Sequence, residues 1–260
     1  MKKLITGMLI FFFCSMNAYS AVFHGGVSQS EVKKYNKVID KVTKLPVHNA
    51  KITIPSHNYT TYSNKNGEFE IRLPIYQPTF ISVEKDNYKP FSVTISKNNS
   101  DTQLILAIEK SNVFDVKIDS DLCHLGDNNF SSHSANAYEF KGRAVGPVYQ
   151  KLFFISNNNL SMQNFLVLGS IIGIDTALAR GLGQNNISNS FASPPSVFLN
   201  GVKIAEIKIN GDNQKIRLPN NLIKWNQYNE IVIKAGKNLM QTEYIDYDDF
   251  EFMNVSIQVF

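Results

Sequence analysis

Apolar residues recur at every second position in short runs between turn residues, and this repeat limits the fold more than any other feature of the chain. Ile52 and Ile54 alternate with Lys51 and Thr53, and Phe69, Ile71 and Leu73 alternate with Glu68, Glu70 and Arg72. Phe91, Val93 and Ile95 continue the pattern, followed by Leu104, Leu106 and Ile108. Successive side chains of a strand point to opposite faces, so each run reads as a strand with one apolar and one wet face. That is the signature of antiparallel sandwiches, because the strands of a parallel sheet are apolar on both faces. Asn66-Gly67 lies between two such runs, and both residues tolerate positive φ, which predicts a type I′ hairpin turn. Beyond Ser111-Asn112 the cadence resumes at 113–118, 138–140, 148–155, 197–199, 202–209, 216–218 and 229–234, with turns at Asn200-Gly201 and Asn210-Gly211. Helical periodicity is scarce. The expectation is an all-β chain of two tandem β-sandwich domains that touch, since no Pro/Gly-rich linker parts them.

The first 20 residues stand apart. Lys2 and Lys3 precede an apolar run from Leu4 to Phe13, and Ala18-Tyr19-Ser20 offers the small residues that a signal peptidase reads. The run is too short for a span of roughly 20 helical residues. Phe13 sits where a lipoprotein signal before Cys14 needs a small residue. The division expected is a signal peptide at 1–20, a mature N-terminal segment at 21–32, one sandwich at 33–110 and a second at 111–260. Export to the periplasm, cell surface or medium follows, with no membrane span once the signal is removed. Without Lys2 and Lys3, Lys plus Arg falls from 26 to 24 against 22 acids. That balance, with no basic block, excludes a nucleic-acid footprint. Cys123 is the one cysteine left, so no internal disulfide can form, and its bland reading is a small buried side chain.

Three stretches carry a family resemblance. They are Val38-Ile-Asp-Lys-Val-Thr-Lys-Leu-Pro46-Val-His-Asn-Ala50-Lys-Ile-Thr-Ile54, Thr60-Thr-Tyr-Ser-Asn-Lys-Asn-Gly67-Glu-Phe-Glu-Ile-Arg-Leu-Pro74 and Val83-Glu-Lys-Asp-Asn-Tyr88-Lys-Pro90. Together they resemble the opening, central hairpin and following turn of a carboxypeptidase regulatory-like domain. The chain departs from that pattern at Asn87, where the family has Gly, and near Tyr35, where an opening Gly is missing. The resemblance implies a seven-stranded transthyretin-like sandwich and no peptidase. The zinc site belongs to a separate α/β catalytic domain and needs a His-x-x-Glu pair, and none of His24, His48, His57, His124 or His133 has Glu three residues on. In the second half, 124–130, 197–201, 229–236 and 248–255 follow the order of galactose-binding-like jelly rolls. That diffuse resemblance implies ligand binding at end loops or on a sheet face, and often a structural calcium ion.

Two constellations are candidates for a site. Asp246, Asp248, Asp249 and Glu251 place four acids in six residues. Unit charges 4 Å apart repel by about 1 kcal/mol in water and about 4 at an effective dielectric of 20. Such a cluster must be splayed into solvent or neutralised. Three readings stay open: a solvated turn, which is favoured; a structural calcium site built from Asp127, Asp246, Asp248 and Asp249; and catalytic carboxylates. No cofactor is otherwise required. The second constellation is Ile223-Lys-Trp-Asn-Gln-Tyr228. Trp225 and Tyr228 could stack on a sugar ring, with Asn226 and Gln227 bonding hydroxyls. The competing reading places Trp225 in the core. Tyr59, Tyr62 and Tyr76 are further aromatics of the first domain. His124 and His133 read as members of a polar loop. No nucleophile elbow, phosphate loop or zinc-ligand cluster occurs, so an enzyme is not expected. The function expected is an exported, non-catalytic binding module for carbohydrate. The alternative is an assembly protein of the cell envelope that binds a partner protein, with a hydrolase ranked last.

In the closing strand, Phe250 and Phe252 share one parity, while Met253, Val255, Ile257 and Val259 share the other. A regular strand cannot bury both sets on one side. This predicts a β-bulge or kink near Phe252-Met253, or a strand covered on both faces.

Overall fold

The computed structural model describes residues 35–96, 102–129, 140, 142–156, 161–185 and 191–260. The segment expected to be a signal peptide, the 21–32 segment, His24, His133 and most of the strand expected at 138–140 lie outside the described residues. Residues 34–260 belong to one compact unit.

Among the described residues seven strands build the first sandwich: β1 (Asn36–Asp40), β2 (Lys51–Ile54), β3 (Tyr59–Tyr62), β4 (Glu68–Phe69), β5 (Thr79–Glu84), β6 (Phe91–Ile95) and β7 (Ile105–Ile108). The first sheet has the order β4-β1-β7 and the second β3-β2-β5-β6. Strand β1 pairs with β7 in parallel. Between the sheets lie Val38, Ile52, Ile54, Phe69, Ile81, Ile95, Leu106 and Ile108, largely the residues that the alternation selects. Ile71 and Leu73 pack against this core from outside any strand.

The Asn66-Gly67 hairpin is not formed. Strands β3 and β4 belong to different sheets, so the segment between them is a corner that carries the chain across the sandwich. Only Gly67 has positive φ, at 71°, and Asn66 does not. The corner is held by Asn64, whose Oδ1 accepts the N–H groups of Asn66 and Glu68, each at 2.9 Å. A Cβ on Gly67 would lie 2.4 Å from the carbonyl oxygen of Val38, so close approach, and not a hairpin, requires this glycine. Asn87 does take the left-handed conformation, with φ 67°.

The second sandwich contains β8 (Val116–Asp119), β9 (Cys123–Leu125), β10 (Val148–Ile155), β11 (Asn164–Ile172), a short helix α1 (Ala177–Gly181), β12 (Ser196–Leu199), β13 (Val202–Glu206), β14 (Gly211–Arg217), β15 (Gln227–Lys234) and β16 (Phe250–Val259). The third sheet has the order β14-β11-β16-β8, with β9 continuing β8 along β16, and the fourth is β10-β15-β12-β13. The pairing is nested. The first strand segments, β8 and β9, meet the last strand, β16; β10 meets β15, β11 meets β14 and β12 meets β13. A long antiparallel ribbon rolled up in this way is a jelly roll. Asn200 and Gly201 both take positive φ, 49° and 84°, and close the β12–β13 hairpin. The apolar 165–174 stretch is mostly strand β11.

The third sheet packs against the second, so four sheets stack in layers. Phe80 from β5, Ile172 and Met253 form a small core between the two sandwiches, joined by Leu122 and Phe140. Asp212 accepts the Thr94 N–H at 3.0 Å and the Thr94 hydroxyl at 2.8 Å, and Asn254 Nδ2 donates to Ser82 Oγ at 3.1 Å. Every residue of β16 is buried as a consequence.

The parity conflict in β16 is resolved by both expected devices at once. Phe250 and Phe252 point into the jelly-roll core, as do Val255 and Ile257, while Met253 points to the first sandwich. The switch falls at Asn254, whose φ of 57° breaks the alternation, and the register against β8 shifts at Val255/Ser256. Gly169 on β11 lies beside it: a Cβ there would meet the Asn254 Cβ at 2.7 Å and Ser92 Oγ at 2.5 Å. Strand β11 changes parity there too, since Leu166 and Leu168 share the core with Ile171. Two neighbouring strands therefore turn over together, and each supplies apolar side chains to two cores. Burying an aromatic such as Phe250 or Phe252 contributes about 1.5–3 kcal/mol.

Candidate functional site

The outer face of the fourth sheet is uncovered by the first sandwich. Alternation along β10 and β15 sends Tyr149, Phe153, Ile231 and Ile233 into the core. The opposite parity carries Val148, Gln150, Leu152 and Phe154 outward, and with them Tyr228, Glu230, Val232 and Lys234. The antiparallel register sets Phe154 opposite Tyr228 and Leu152 opposite Glu230. Tyr228 and Phe154 meet edge to face, with centroids 5.8 Å apart and planes at 71°. Tyr228 is 67% exposed, Leu152 64% and Phe154 46%, a large apolar exposure for one patch. Gln150 Nε2 donates to Glu230 Oε1 beside them, and Lys234 Nζ lies 4.9 Å from the Phe198 ring centroid on the adjoining strand.

Of the four residues expected to bind ligand, Tyr228 reaches this face. Trp225 is partly buried and packs on the jelly-roll core. Asn226 forms the turn before β15, with φ 53° and its N–H bonded to the Ile155 carbonyl at 2.8 Å. Gln227 is exposed at the strand's first position. Phe154 and Leu152 were not singled out by the sequence reading. Their signal was the parity of 148–155, which places both on the side of Tyr228 only once β10 and β15 are known to pair. In the first domain Tyr62 and Tyr76 are exposed, whereas Tyr59 is half-buried with its hydroxyl donating to the Glu70 carbonyl at 2.8 Å.

The acidic entrance to β16 is not a solvated turn. Asp246, Asp248, Asp249 and Glu251 are 1%, 6%, 3% and 3% exposed. The reason is the rest of the sheet: the β9 segment and the loop after it cover these acids and supply donors. His124 sits on β9 and not in a polar loop, and its Nε2 meets Asp249 Oδ1 at 2.9 Å. Its Nδ1 meets the Gly142 carbonyl at 2.8 Å. Both partners are acceptors, so the ring donates from both nitrogens and is an imidazolium. Burial alone would lower the His124 pKa, but the bonds to Asp249 and Gly142 overcome it and raise the value above the usual 6.5. The backbone of 126–128 wraps the same carboxylate. The Asn128 N–H donates to Asp249 Oδ1 at 3.2 Å and the Asp127 N–H to Oδ2 at 3.4 Å, while a Cβ on Gly126 would lie 2.2 Å from the carboxyl carbon.

The other acids are engaged as well. Asp246 accepts Asn129 Nδ2 at 3.2 Å and Asn238 Nδ2 at 3.1 Å. Asp127 accepts the N–H groups of Tyr247 and Asn129, each at 2.9 Å. Burial nevertheless raises its pKa, with the charges of Asp249 and Asp246 adding to the rise. Asp248 is fully enclosed beside Asp175, whose N–H donates to Asp248 Oδ2 at 3.3 Å. Burial, and then the Asp175 charge, push the Asp248 pKa well above its usual value. Asn185 Nδ2 donates to Asp175 Oδ1 at 2.7 Å. Asp175, Asn129 and Asn185 are far from 246–251 in sequence, and nothing local marks them.

Calcium takes six to eight oxygen ligands. Among the described residues no three His, Cys, Asp or Glu side chains converge as for a metal ion. The carboxylates named as ligands already accept N–H donors, and one is neutralised by His124. This donor set does not fit a calcium ion; it is a buried polar network that fastens β9, β16 and two loops. Cys123, beside His124, packs partly buried against the core, and its thiol pKa is pushed up to about 12 by burial and the Asp119 charge. Such a thiol is inert at neutral pH.

No family model matches the chain, and no curated protein matches it. Among solved structures it is similar to a β-D-glucuronidase from Dictyoglomus thermophilum, with 12% identity and a TM-score of 0.30, over 57% of this chain and 29% of that one. It is also similar to a β-porphyranase of glycoside hydrolase family 86 from the human gut bacterium Bacteroides plebeius, with 12% identity and a TM-score of 0.25, over 80% of this chain and 30% of that one. The chain thus spans less than a third of the length of either enzyme.

Proposed function

We propose that this chain is an exported, non-catalytic binding protein that recognises carbohydrate on the outer face of its fourth sheet. The observation that carries the reading is the Phe154–Tyr228 pair with Leu152, exposed side by side on the outer face of the fourth sheet among the described residues. Aromatic faces stack on the apolar faces of pyranose rings, and Glu230 and Gln150 stand beside the patch as acceptor and donor. Export rests on the residues of 1–20, and the non-catalytic character on the motif content of the sequence.

Affinity electrophoresis against a panel of polysaccharides, guided by a glycan array, tests the reading. Tyr228→Ala and Phe154→Ala are each expected to weaken retention at least about tenfold, which is about 1.4 kcal/mol. Their melting temperatures should stay near that of the unaltered protein. An array without signal, or variants retained as strongly as the parent, would count against carbohydrate.

A second reading, an envelope assembly protein, is favoured by strand β10 itself. Among the described residues its eight positions pair with β15 alone, which makes it an edge strand of the fourth sheet, the kind of strand to which a partner strand can add. Under that reading a partner protein co-purifies with the parent, is lost on Leu152→Lys, and the glycan panel is silent.

A further inference from the structure

A groove of about 490 Å³ runs along β3, lined by all four residues of the strand on one side and by Glu68, Phe69, Glu70 and Arg72 on the other. Strand β3 ends the second sheet, and among the described residues β2 is its one strand partner. The ladder sets which backbone groups β3 has left for the groove. The Ser63 N–H donates to the Ala50 carbonyl at 3.0 Å, one step before Tyr62 faces Lys51. Antiparallel strands exchange both bonds at every second pair. Thr61 and Tyr59 therefore give their N–H and C=O groups to β2, and those of Thr60 and Tyr62 point away from it, into the groove. The wall opposite is pinned. The Tyr59 hydroxyl accepts the Arg72 N–H at 3.3 Å, and Asn64 Nδ2 donates to Glu68 Oε2 at 3.0 Å.

Exposed edges are normally blunted by charge, proline or a bulge. Strands β8, β10, β13 and β14 carry Lys117, Lys151, Lys203 and Lys215, and β6 is tied to Asp212 at Thr94. Strand β3 reads Tyr59-Thr-Thr-Tyr62, without charge or proline, and keeps its register on β2 over all four residues. It is also self-complementary. A two-fold axis through Thr61 sets Thr60 opposite Tyr62 of a second copy, Tyr62 opposite its Thr60, and Thr61 opposite its Thr61. Both outward positions of each strand then exchange their backbone bonds. Aromatic–β-branched and Thr–Thr pairs are among those that stabilise an antiparallel ladder, and no like charges meet. An axis through Thr60 or Tyr62 leaves one bonded pair, because Asn58 and Asn64 already give their N–H groups to the Pro55 and Glu68 carbonyls.

We infer that β3 is the contact through which two copies of this chain associate, its strands pairing antiparallel about a two-fold axis at Thr61. The strand of each copy fills the groove of the other, so the interface is isologous and closes at two copies. The paired strand is about 13 Å long at roughly 3.3 Å per residue, so the association is weak and depends on concentration. The inference uses no residue of the fourth sheet and stands apart from both readings of it.

Sedimentation equilibrium of the full chain, from micromolar to millimolar concentration, tests it. The mass is expected to rise from one copy towards two and to stop there. Thr61→Lys and Thr61→Asp each set like charges face to face across the axis, so each should weaken association at least tenfold while the melting temperature holds. Mixing the two variants sets opposite charges face to face, and the mixture should associate at least tenfold more tightly than either variant alone. A loss caused by misfolding would not be restored in this way. Hydrogen exchange on the unaltered chain adds a readout free of substitutions: the Thr60 and Tyr62 amides should slow as concentration rises, and those of β10 should not. A chain that stays single at millimolar concentration would assign the edge to a different partner and overturn the inference. So would association undiminished in a folded Thr61→Lys protein, a mixture no tighter than its parts, or protection that grows on β10 and not on β3.

Discussion

Replacing Asp249 by asparagine tests the claim that a buried imidazolium–carboxylate pair locks β9 to β16. The side chains of His124 and Asp249 are 3% and 0% exposed, so solvent screens the pair little. Breaking a buried pair from one side typically costs about 3–5 kcal/mol, because the remaining charge loses its counterpart. At about 2–4 °C per kcal/mol for a chain of this size, Asp249→Asn should lower the melting temperature by about 6–20 °C. The effect has a pH signature. The folded pKa of His124 is raised above its unfolded value, so the stabilisation is fully present below about 6.5 and is lost as pH rises through the folded value. The parent should therefore lose stability on going from pH 6 to pH 9, and Asp249→Asn should lose less over the same range. Asp248 contributes a slope of the same sign, so the comparison is cleanest between Asp248→Asn and the Asp248→Asn/Asp249→Asn double variant. Urea denaturation at a series of pH values gives both numbers. A loss below about 1 kcal/mol at pH 6, or equal pH slopes with and without Asp249, would refute the ion-pair argument.

Three other outcomes follow from the same region. Gly126→Ala should destabilise the protein severely, since its φ of 147° and the Asp249 carboxylate 2.2 Å from a Cβ leave no room, and thermal melting reads this directly. Asp248→Asn should stabilise the protein. The raised pKa means that the folded state holds a proton the unfolded state releases, so the gain should be clear at pH 8 and small near pH 4, as chemical denaturation at the two values would show. Calcium at millimolar concentration should leave the melting temperature unchanged, because protein donors already serve the carboxylates; a saturable rise would show that the ion displaces them.

The alternation of apolar residues was enough to read an all-β chain and most of both cores. It worked because strand periodicity is local: Ile52 and Ile54 need no distant partner to declare their face. It failed at Asn66-Gly67, where the dipeptide is compatible with a hairpin but the flanking strands join different sheets, which no local pattern encodes. The β16 conflict was legible because Phe252 and Met253 are both apolar and adjacent in one strand. The acidic entrance was misread for the opposite reason. Four acids in six residues signal exposure unless their donors are known, and His124 and Asn129 come from a distant part of the chain. Tyr228 was found by residue type, but Phe154 and Leu152 needed the β10–β15 register.

The nested pairing of the jelly roll has a consequence for the order in which the molecule can assemble. Strand β16 lies between β11 and the β8–β9 segments, so the third sheet is split until the last strand of the fold arrives. Part of the second sheet of the first sandwich is then also uncovered, since Met253 and Asn254 of β16 help to cover Phe80 and Ser82. Contacts that join such distant parts of a chain form slowly. The first sandwich should therefore collapse early but stay incompletely protected, and hydrogen exchange in β5 and β6 should slow only in step with the docking of β16.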